Sequence, residues 1–294
     1  MDDIEILNRV KVIVFEGPDC CGKTTMLKKT AEALTAKGYN VRVFKFPSYS
    51  GLFGDEILDH LLNWDPHKHT KQECFEKQIE FSKMLTVNKL DAFKYFCEQA
   101  KGADYVLVDR FVLSQYVYDI AWKPIIDKRR KNPFYTEKEV KAISTRAEDV
   151  YRAYSHAFPD IRTVVFTQNP VIKVISEYNH ELERKSAAAA GRRIDQYDSN
   201  KEYQKQVAAE FDNIVFNENY VGATFINKQA VTLYAINSKG GVAAVSHARD
   251  GKNAPIKDLD NFNVKKFLKR KDYWLSVLSE AQQDELNYIM EVIK

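Results

Sequence analysis

A short run rich in Val and Ile, Val10 to Phe15, feeds directly into Gly17-Pro18-Asp19-Cys20-Cys21-Gly22-Lys23-Thr24, and a helical pattern follows from about Lys23 to Lys37. Strand, glycine loop and helix in this order leave few folds open. The apolar run reads as a buried parallel strand, because it lacks the alternation of a strand with one wet face. The loop fits G-x-x-x-x-G-K-[ST] in full. In that pattern backbone N–H groups and the positive end of the helix converge on phosphate oxygens. Gly22 lets the backbone come close to an oxygen. Lys23 sets a positive charge against the terminal phosphates, and the Thr24 hydroxyl is a ligand for Mg²⁺. The expected ATP contacts are therefore Gly17, Pro18, Asp19, Cys20, Cys21, Gly22, Lys23, Thr24 and Thr25. The two cysteines fill positions that take small residues. A redox role, in which oxidation of Cys21 would block nucleotide binding, stays open beside that simpler reading.

Further along, Val41–Phe44, Tyr105–Val108 and Thr163–Phe166 read as strands, and Ala223–Ile226 and Val231–Ile236 as β-like runs. Helical patterns fall at about Asp55–Leu62, 71–100, Leu113–Trp122, 136–156, after Pro170, and 200–212. Strands alternating with helices predict a parallel sheet with helices on both faces and right-handed crossovers. The expected fold is α/β: a three-layer α/β/α P-loop NTPase fold with a five-stranded parallel sheet, a helical lid and a C-terminal extension. The catalytic domain is placed at 1–237 with the lid at about 182–199. The extension, 238–294, reads as a Gly/Ser/Asn/Asp-rich loop to about 258, then helices near 262–270 and 276–293.

The 294 residues carry a net charge of +3, so global electrostatics points to neither nucleic acid nor membrane. Basic clusters at Lys128-Arg129-Arg130-Lys131 and around Lys265–Lys271 read as solvated faces. No stretch approaches the ~18 apolar residues of a membrane span. The first residues, Met1 to Glu5, are acidic and lack a signal peptide's apolar core. Four cysteines occur without CxxC or Cys/His metal spacing. Reduced thiols, and with them a cytoplasmic setting, are expected.

Asp109-Arg110 closes the third strand. In an open α/β sheet that end lines the ligand crevice. Asp109 is placed to hold Mg²⁺ directly or through water, and Arg110 to fork onto a phosphate. Taken in order, FEGPDCCGKTT, FPSYSG and VDRFVLSQYVY resemble the thymidylate kinase family of nucleoside monophosphate kinases. The D-R-[YFH]-x-x-S-x-x-x-[YF] pattern of that family falls on Asp109, Arg110, Phe111, Ser114 and Tyr118. The similarity runs over roughly residues 10–227.

The resemblance implies transfer of the γ-phosphate of ATP, with Mg²⁺, to a deoxynucleoside monophosphate, most simply dTMP to dTDP. It implies that Phe46 and Pro47 shape the nucleoside pocket, with Tyr49, Ser114 and Gln115 among its contacts. Phe81 would stack on the pyrimidine, Tyr118 would wall the deoxyribose, Arg110 would grip the acceptor phosphate and Asp19 would help arrange phosphates and metal. It also implies a homodimer. The sequence departs from the family at Leu85, where an Arg usually addresses the base, so dUMP or another deoxynucleotide stays open as acceptor. No Arg lies within the phosphate loop. The lid candidate holds Arg184, Lys185, Arg192 and Arg193, which can supply the missing cations.

Two other enzymatic readings and one binding reading compete. A deoxynucleoside kinase needs a general base after the second strand, yet Lys45-Phe46-Pro47-Ser48-Tyr49-Ser50 holds no carboxylate. A P-loop ATPase module acting on nucleic acid would use the basic tail near 265–271 with Tyr273 and Trp274. A nucleotide-binding scaffold without turnover has no need of Lys23, Asp109 and Arg110 together. The lid assignment predicts that Arg192→Ala with Arg193→Ala lowers kcat strongly and changes nucleotide affinity little. Steady-state kinetics beside nucleotide titrations measure this, and an unchanged kcat removes the lid from the mechanism.

Overall fold

Successive residues of the first strand, β1 (Lys11–Glu16), point to opposite sides of the sheet, and the sequence makes both sides apolar. Val12 and Val14 enter one core cluster; Ile13 and Phe15 enter another on the far face. A strand buried on both faces demands cover on both. The computed structural model describes residues 7–19, 21–65, 68–121, 137–166, 200–216, 231–236, 242–245 and, near the end, Gln283, Leu286, Asn287, Ile289, Met290 and Ile293.

Helix α1 (Lys23–Ala36) follows the glycine loop, and β2 (Val41–Lys45) and α2 (Gly54–Asn63) come next. The long α3 (Lys71–Ala100) opens on a capping box in which Thr70 and Glu73 satisfy each other's backbone N–H groups. Then come β3 (Tyr105–Asp109), α4 (Val112–Ile120), α5 (Glu137–Ala157), β4 (Ile161–Phe166) and α6 (Lys201–Phe216). Two strands end the described order, β5 (Val231–Ile236) and β6 (Val242–Val245).

The sheet order is β2-β3-β1-β4-β5-β6. Pairing is parallel from β2 through β5, while β6 pairs antiparallel to β5. The sheet thus differs from the expected all-parallel five strands. Val242–Val245, inside the stretch read as loop, adds an antiparallel sixth strand. Short apolar runs beside glycines are the hardest to tell from loop by pattern. The run at 223–226, the helix after Pro170, the lid with Arg184, Lys185, Arg192 and Arg193, Cys20 and the basic tail near 265–274 lie outside the described residues.

Helices α3 to α6 pack over Val12, Val14, Val106 and Val108 on one face. On the other, α1 contributes Met26, Leu27 and Leu34 against Ile13, Phe15, Leu107 and Val164. One helix does not cover that face alone. Ile289, Met290 and Ile293 complete it, each no more than 8% exposed. Lys11 Nζ and Tyr105 Oη both donate to the Ile293 carbonyl at 3.4 Å. Part of the C-terminal extension therefore belongs to the core. Among the described residues no helix is long and apolar enough to cross a membrane.

Because Ile293 is 1% exposed, Ile293→Ala is expected to lower the unfolding free energy by about 2–5 kcal/mol. Urea denaturation measures it, and a value near zero would detach the tail from the core.

Candidate active site

The carboxyl end of β1 lies between β3 and β4, where the connections leave in opposite directions along the sheet. Crevices form at such switch points. The loop from Gly17 emerges here. A Cβ on Gly17 would sit 2.6 Å from the Phe166 carbonyl oxygen, and its φ is +147°, so only glycine fits against the end of β4. Gly22, at φ +95°, caps α1, and nothing stands within 4 Å of where its Cβ would be.

Lys23 is buried and folded back on the loop, where its ammonium donates to the Pro18 carbonyl and lies 3.7 Å from Cys21 Sγ. Cys21 is itself buried. Thr24 and Thr25 are exposed on the first turn of α1. Thr24 Oγ1 donates to Asp109 Oδ2 at 3.0 Å. The other oxygen, Asp109 Oδ1, is buried without a hydrogen-bond partner. A buried carboxylate oxygen left so is costly unless a cation or donor meets it. Two hard oxygens side by side suit Mg²⁺, which keeps waters and phosphate oxygens in its remaining positions. Among the described residues no cluster of three or more His, Cys, Asp or Glu would hold a metal unaided.

Arg110 follows at once, and its φ of +65° is in the left-handed region that an arginine rarely adopts. Its N–H donates to the Phe15 carbonyl at 3.0 Å, which fixes the turn out of β3. The guanidinium is 5.0 Å from the centre of the Tyr118 ring and pairs with Asp19. Asp19 also accepts from the Tyr118 hydroxyl, and from Gln204 Nε2 at 3.2 Å. The loop acid therefore joins Arg110, Tyr118 and α6 at the acceptor side.

Glu16, at 1% exposure, holds this turn from beneath. Its carboxylate accepts from the backbone N–H groups of Phe111 at 2.9 Å, Leu113 at 3.0 Å and Ser114 at 3.2 Å, and from the Ser114 hydroxyl. An anion at a helix N-terminus is favoured by the helix dipole. Burial pushes the Glu16 carboxyl above its ordinary range, against the pull of Ser114 and Arg110.

A cavity of about 230 Å³ opens beside Arg110. The sequence-expected residues Phe46, Pro47, Tyr49, Phe81, Ser114, Gln115 and Tyr118 all line it, together with Asp19 and Arg110. Phe46 is nearly fully buried, while Tyr49 stays 45% exposed. Helix α3 presents Gln78, Phe81, Leu85 and Lys89 to the cavity, steps of three and four that make one stripe. Phe81 carries His60 on one face, with ring centroids 3.9 Å apart and planes at 13°. Burial holds the His60 imidazole down at about 4, so it stacks as a neutral ring.

Several positioning residues escaped the sequence. Asn88 binds the Ser48 N–H at 2.9 Å and the carbonyls of Ser48 and Leu52 at 2.8 Å, fastening the loop after Pro47 to α3. Glu16, His60, Lys89, Tyr203 and Gln204 were also missed. Only Glu16 had a local signal, its place one residue before the loop.

The match to known proteins can now be set against this geometry. Residues 15–130 fit the family model described as thymidylate kinase. The thymidylate kinase of Thermoanaerobacter sp. (strain X514) is 35% identical over 108 residues, 37% of this chain and 49% of that protein. That of Exiguobacterium sibiricum is 29% identical over 157 residues, 52% and 61% of the two chains. That of Schizosaccharomyces pombe is 25% identical over 114 residues, 39% and 50%. The chain thus spans about half the length of the curated relatives it matches first. A solved thymidylate kinase from Candida albicans is similar at 19% identity with a TM-score of 0.42, over 70% of this chain and 78% of that one.

A buried acid beneath the cavity gives a pH test of its packing. Asp119 accepts from Gln78 Nε2 at 2.7 Å, and burial pushes its carboxyl up to about 6. The folded protein then holds that proton more tightly than the unfolded chain. This contribution to stability is full below about pH 4 and is lost as pH rises through about 6. Relative to Asp119→Asn, the wild type should lose roughly 2 kcal/mol between pH 4 and pH 7. Urea unfolding across that window measures it, and a flat difference would show that Asp119 does not titrate there.

The segment from residue 15 to 130, which holds the glycine loop, the Phe46-Pro47 turn, the α3 stripe and Asp109-Arg110, is the part of the chain that is similar to thymidylate kinases.

Proposed function

We propose that the chain transfers the γ-phosphate of ATP to a deoxynucleoside monophosphate, with dTMP the favoured acceptor and dTDP the product. One observation carries the reading. The cavity beside the phosphate loop is lined by three cationic side chains, Lys45, Lys89 and Arg110, and Asp19 is the sole carboxylate among its described lining residues. That carboxylate is already engaged by Arg110, Tyr118 and Gln204. Such a wall suits an acceptor that arrives as an anion. A neutral hydroxyl acceptor would need a free base, and none lines the cavity near Phe46.

Phosphoryl transfer draws chiefly on positioning and on neutralising charge. ATP lies on the Gly17–Thr25 loop, its phosphates against the backbone N–H groups that open α1. Lys23 swings from the Pro18 carbonyl to the terminal phosphates. Thr24 and Asp109 would hold Mg²⁺, which would supply charge neutralisation on the phosphate oxygens. Arg110 grips the acceptor phosphate and sets its oxygen in line, while Asp19 and Tyr118 steady the guanidinium. The base lies against Phe81, with His60 backing that ring. Arg184, Arg192 and Arg193 bring further cations when the lid closes and water is excluded.

A homodimer is part of this proposal. The outer faces of α3 and α2 leave Val87, Leu90, Tyr95 and Leu58 between 37% and 58% exposed, an apolar surface that a second copy would cover.

A coupled assay over all nucleoside monophosphates with ATP and Mg²⁺ tests the function. Turnover should be highest with dTMP, absent with thymidine, and at least a hundredfold lower in Arg110→Ala, on the order expected when a charge-stabilising donor is removed. Turnover of thymidine without turnover of dTMP would replace the reading by a nucleoside kinase.

A further inference from the structure

Lys89 is one of the three cations in the cavity wall, and no step of the proposed transfer uses it. It leaves α3 two turns after Phe81 and points back along the helix, as long helical side chains do. Its ammonium donates to the Leu85 carbonyl at 3.3 Å and to Gln115 Oε1 at 2.9 Å. The charge therefore sits one turn nearer Phe81 than its own Cα, beside the apolar Leu85. At 2% exposure Lys89 is far more deeply buried than Tyr49 at the rim. Burial lowers its ammonium to about 8, while Glu16 and Asp119 oppose that shift, so it stays charged at neutral pH.

An ammonium has three N–H donors and no acceptor. Two acceptors meet this one. The amide of Gln115 cannot turn to relieve it, because Nε2 is spent on the Ser82 carbonyl at 3.0 Å and the Thr86 hydroxyl at 3.0 Å. Gln115 Oε1 must face Lys89. Among the described residues the third N–H of this desolvated cation has no hydrogen-bond acceptor, and Lys89 belongs to the lining of the cavity. A pyrimidine nucleotide entering with its phosphate at Arg110 reaches deepest with the edge farthest from its sugar, which carries the 4-substituent. A 4-oxo group accepts from the cation; a 4-amino group turns hydrogens toward it.

We propose that Lys89 is the base-discriminating residue of this chain, donating from the cavity floor to the 4-oxo group of a pyrimidine monophosphate and so rejecting 4-amino pyrimidines. The assignment rests on the monophosphate kinase reading. It selects thymine and uracil together over cytosine. The discrimination comes from binding, so it belongs in KM more than in kcat.

The test uses the full chain and Lys89→Met with three acceptors: dTMP, 5-methyl-dCMP, and 4-thio-dTMP, whose sulfur is a poor acceptor. The wild type should prefer dTMP to each by about tenfold or more in kcat/KM, the usual worth of a hydrogen bond to a charged group. Lys89→Met should lose that preference, with dTMP falling through KM and 4-thio-dTMP falling little further, the non-additivity of two changes on one contact. An unchanged dTMP to 5-methyl-dCMP ratio in the variant, or independent losses from variant and analogue, overturns the assignment and leaves the kinase reading standing. A wild type inert toward every monophosphate overturns both. If Lys89→Met does not fold, equal use of dTMP and 4-thio-dTMP by the wild type overturns the assignment by itself.

Discussion

The Glu16 carboxylate, buried at the end of the central strand, is the contact on which the site is built. Its two oxygens gather three backbone N–H groups and a hydroxyl from the first turn of α4. Those N–H groups have no partner inside their own helix. The same bonds close the chain tightly after Asp109 and force Arg110 to turn in the left-handed region. Removing the carboxylate would free the turn, and the guanidinium would lose the constraint that aims it over Tyr118. Energetically this is a burial of charge repaid by dense hydrogen bonding, the one arrangement in which such burial is tolerable.

From that anchor the two halves of the site are held at a fixed spacing. Asp109, the last residue of β3, meets Thr24 on the first turn of α1. Arg110, one residue later, meets Asp19 in the phosphate loop. A contact to α1 and a contact to the glycine loop thus share one dipeptide, so neither can shift without the other. Under the proposed transfer, such coupling would keep the reacting groups in register, where small displacements are costly in rate. The loop after β2 is held separately, by Asn88 reaching from α3 to three backbone groups.

Much of this was legible in the sequence, and the limit has a physical cause. Strand, glycine loop and helix advertise themselves through local pattern, and Asp109-Arg110 through its place at the end of a strand. The stripe of α3 was visible as periodicity, but not which of its polar members turn inward. Asn88 and Lys89 are polar, and only the packed structure shows them buried. Gln204 meets Asp19 across 185 positions; no local pattern can report that. Glu16 looked like part of the loop, although it is the cap of a helix almost a hundred residues away. Strand β6 was lost among glycines and serines whose composition argues for loop. Asp19 was expected beside phosphates and metal, and the bonds it makes in the structure run to Arg110, Tyr118 and Gln204.

The far side of the sheet carries a different implication, one of timing. Ile13 and Phe15 wait for Ile289, Met290 and Ile293 to finish their cover. Ribosomes add about 5–20 residues each second. Some tens of seconds therefore separate the emergence of the central strand from that of the residues that seal it, an order of magnitude set by the same rate. For that interval the nascent chain shows water an apolar strip at the centre of its sheet. Chaperone binding to the half-made chain, and aggregation of shortened forms, are the natural outcomes of placing the last piece of a core so far along the chain from the strand it covers.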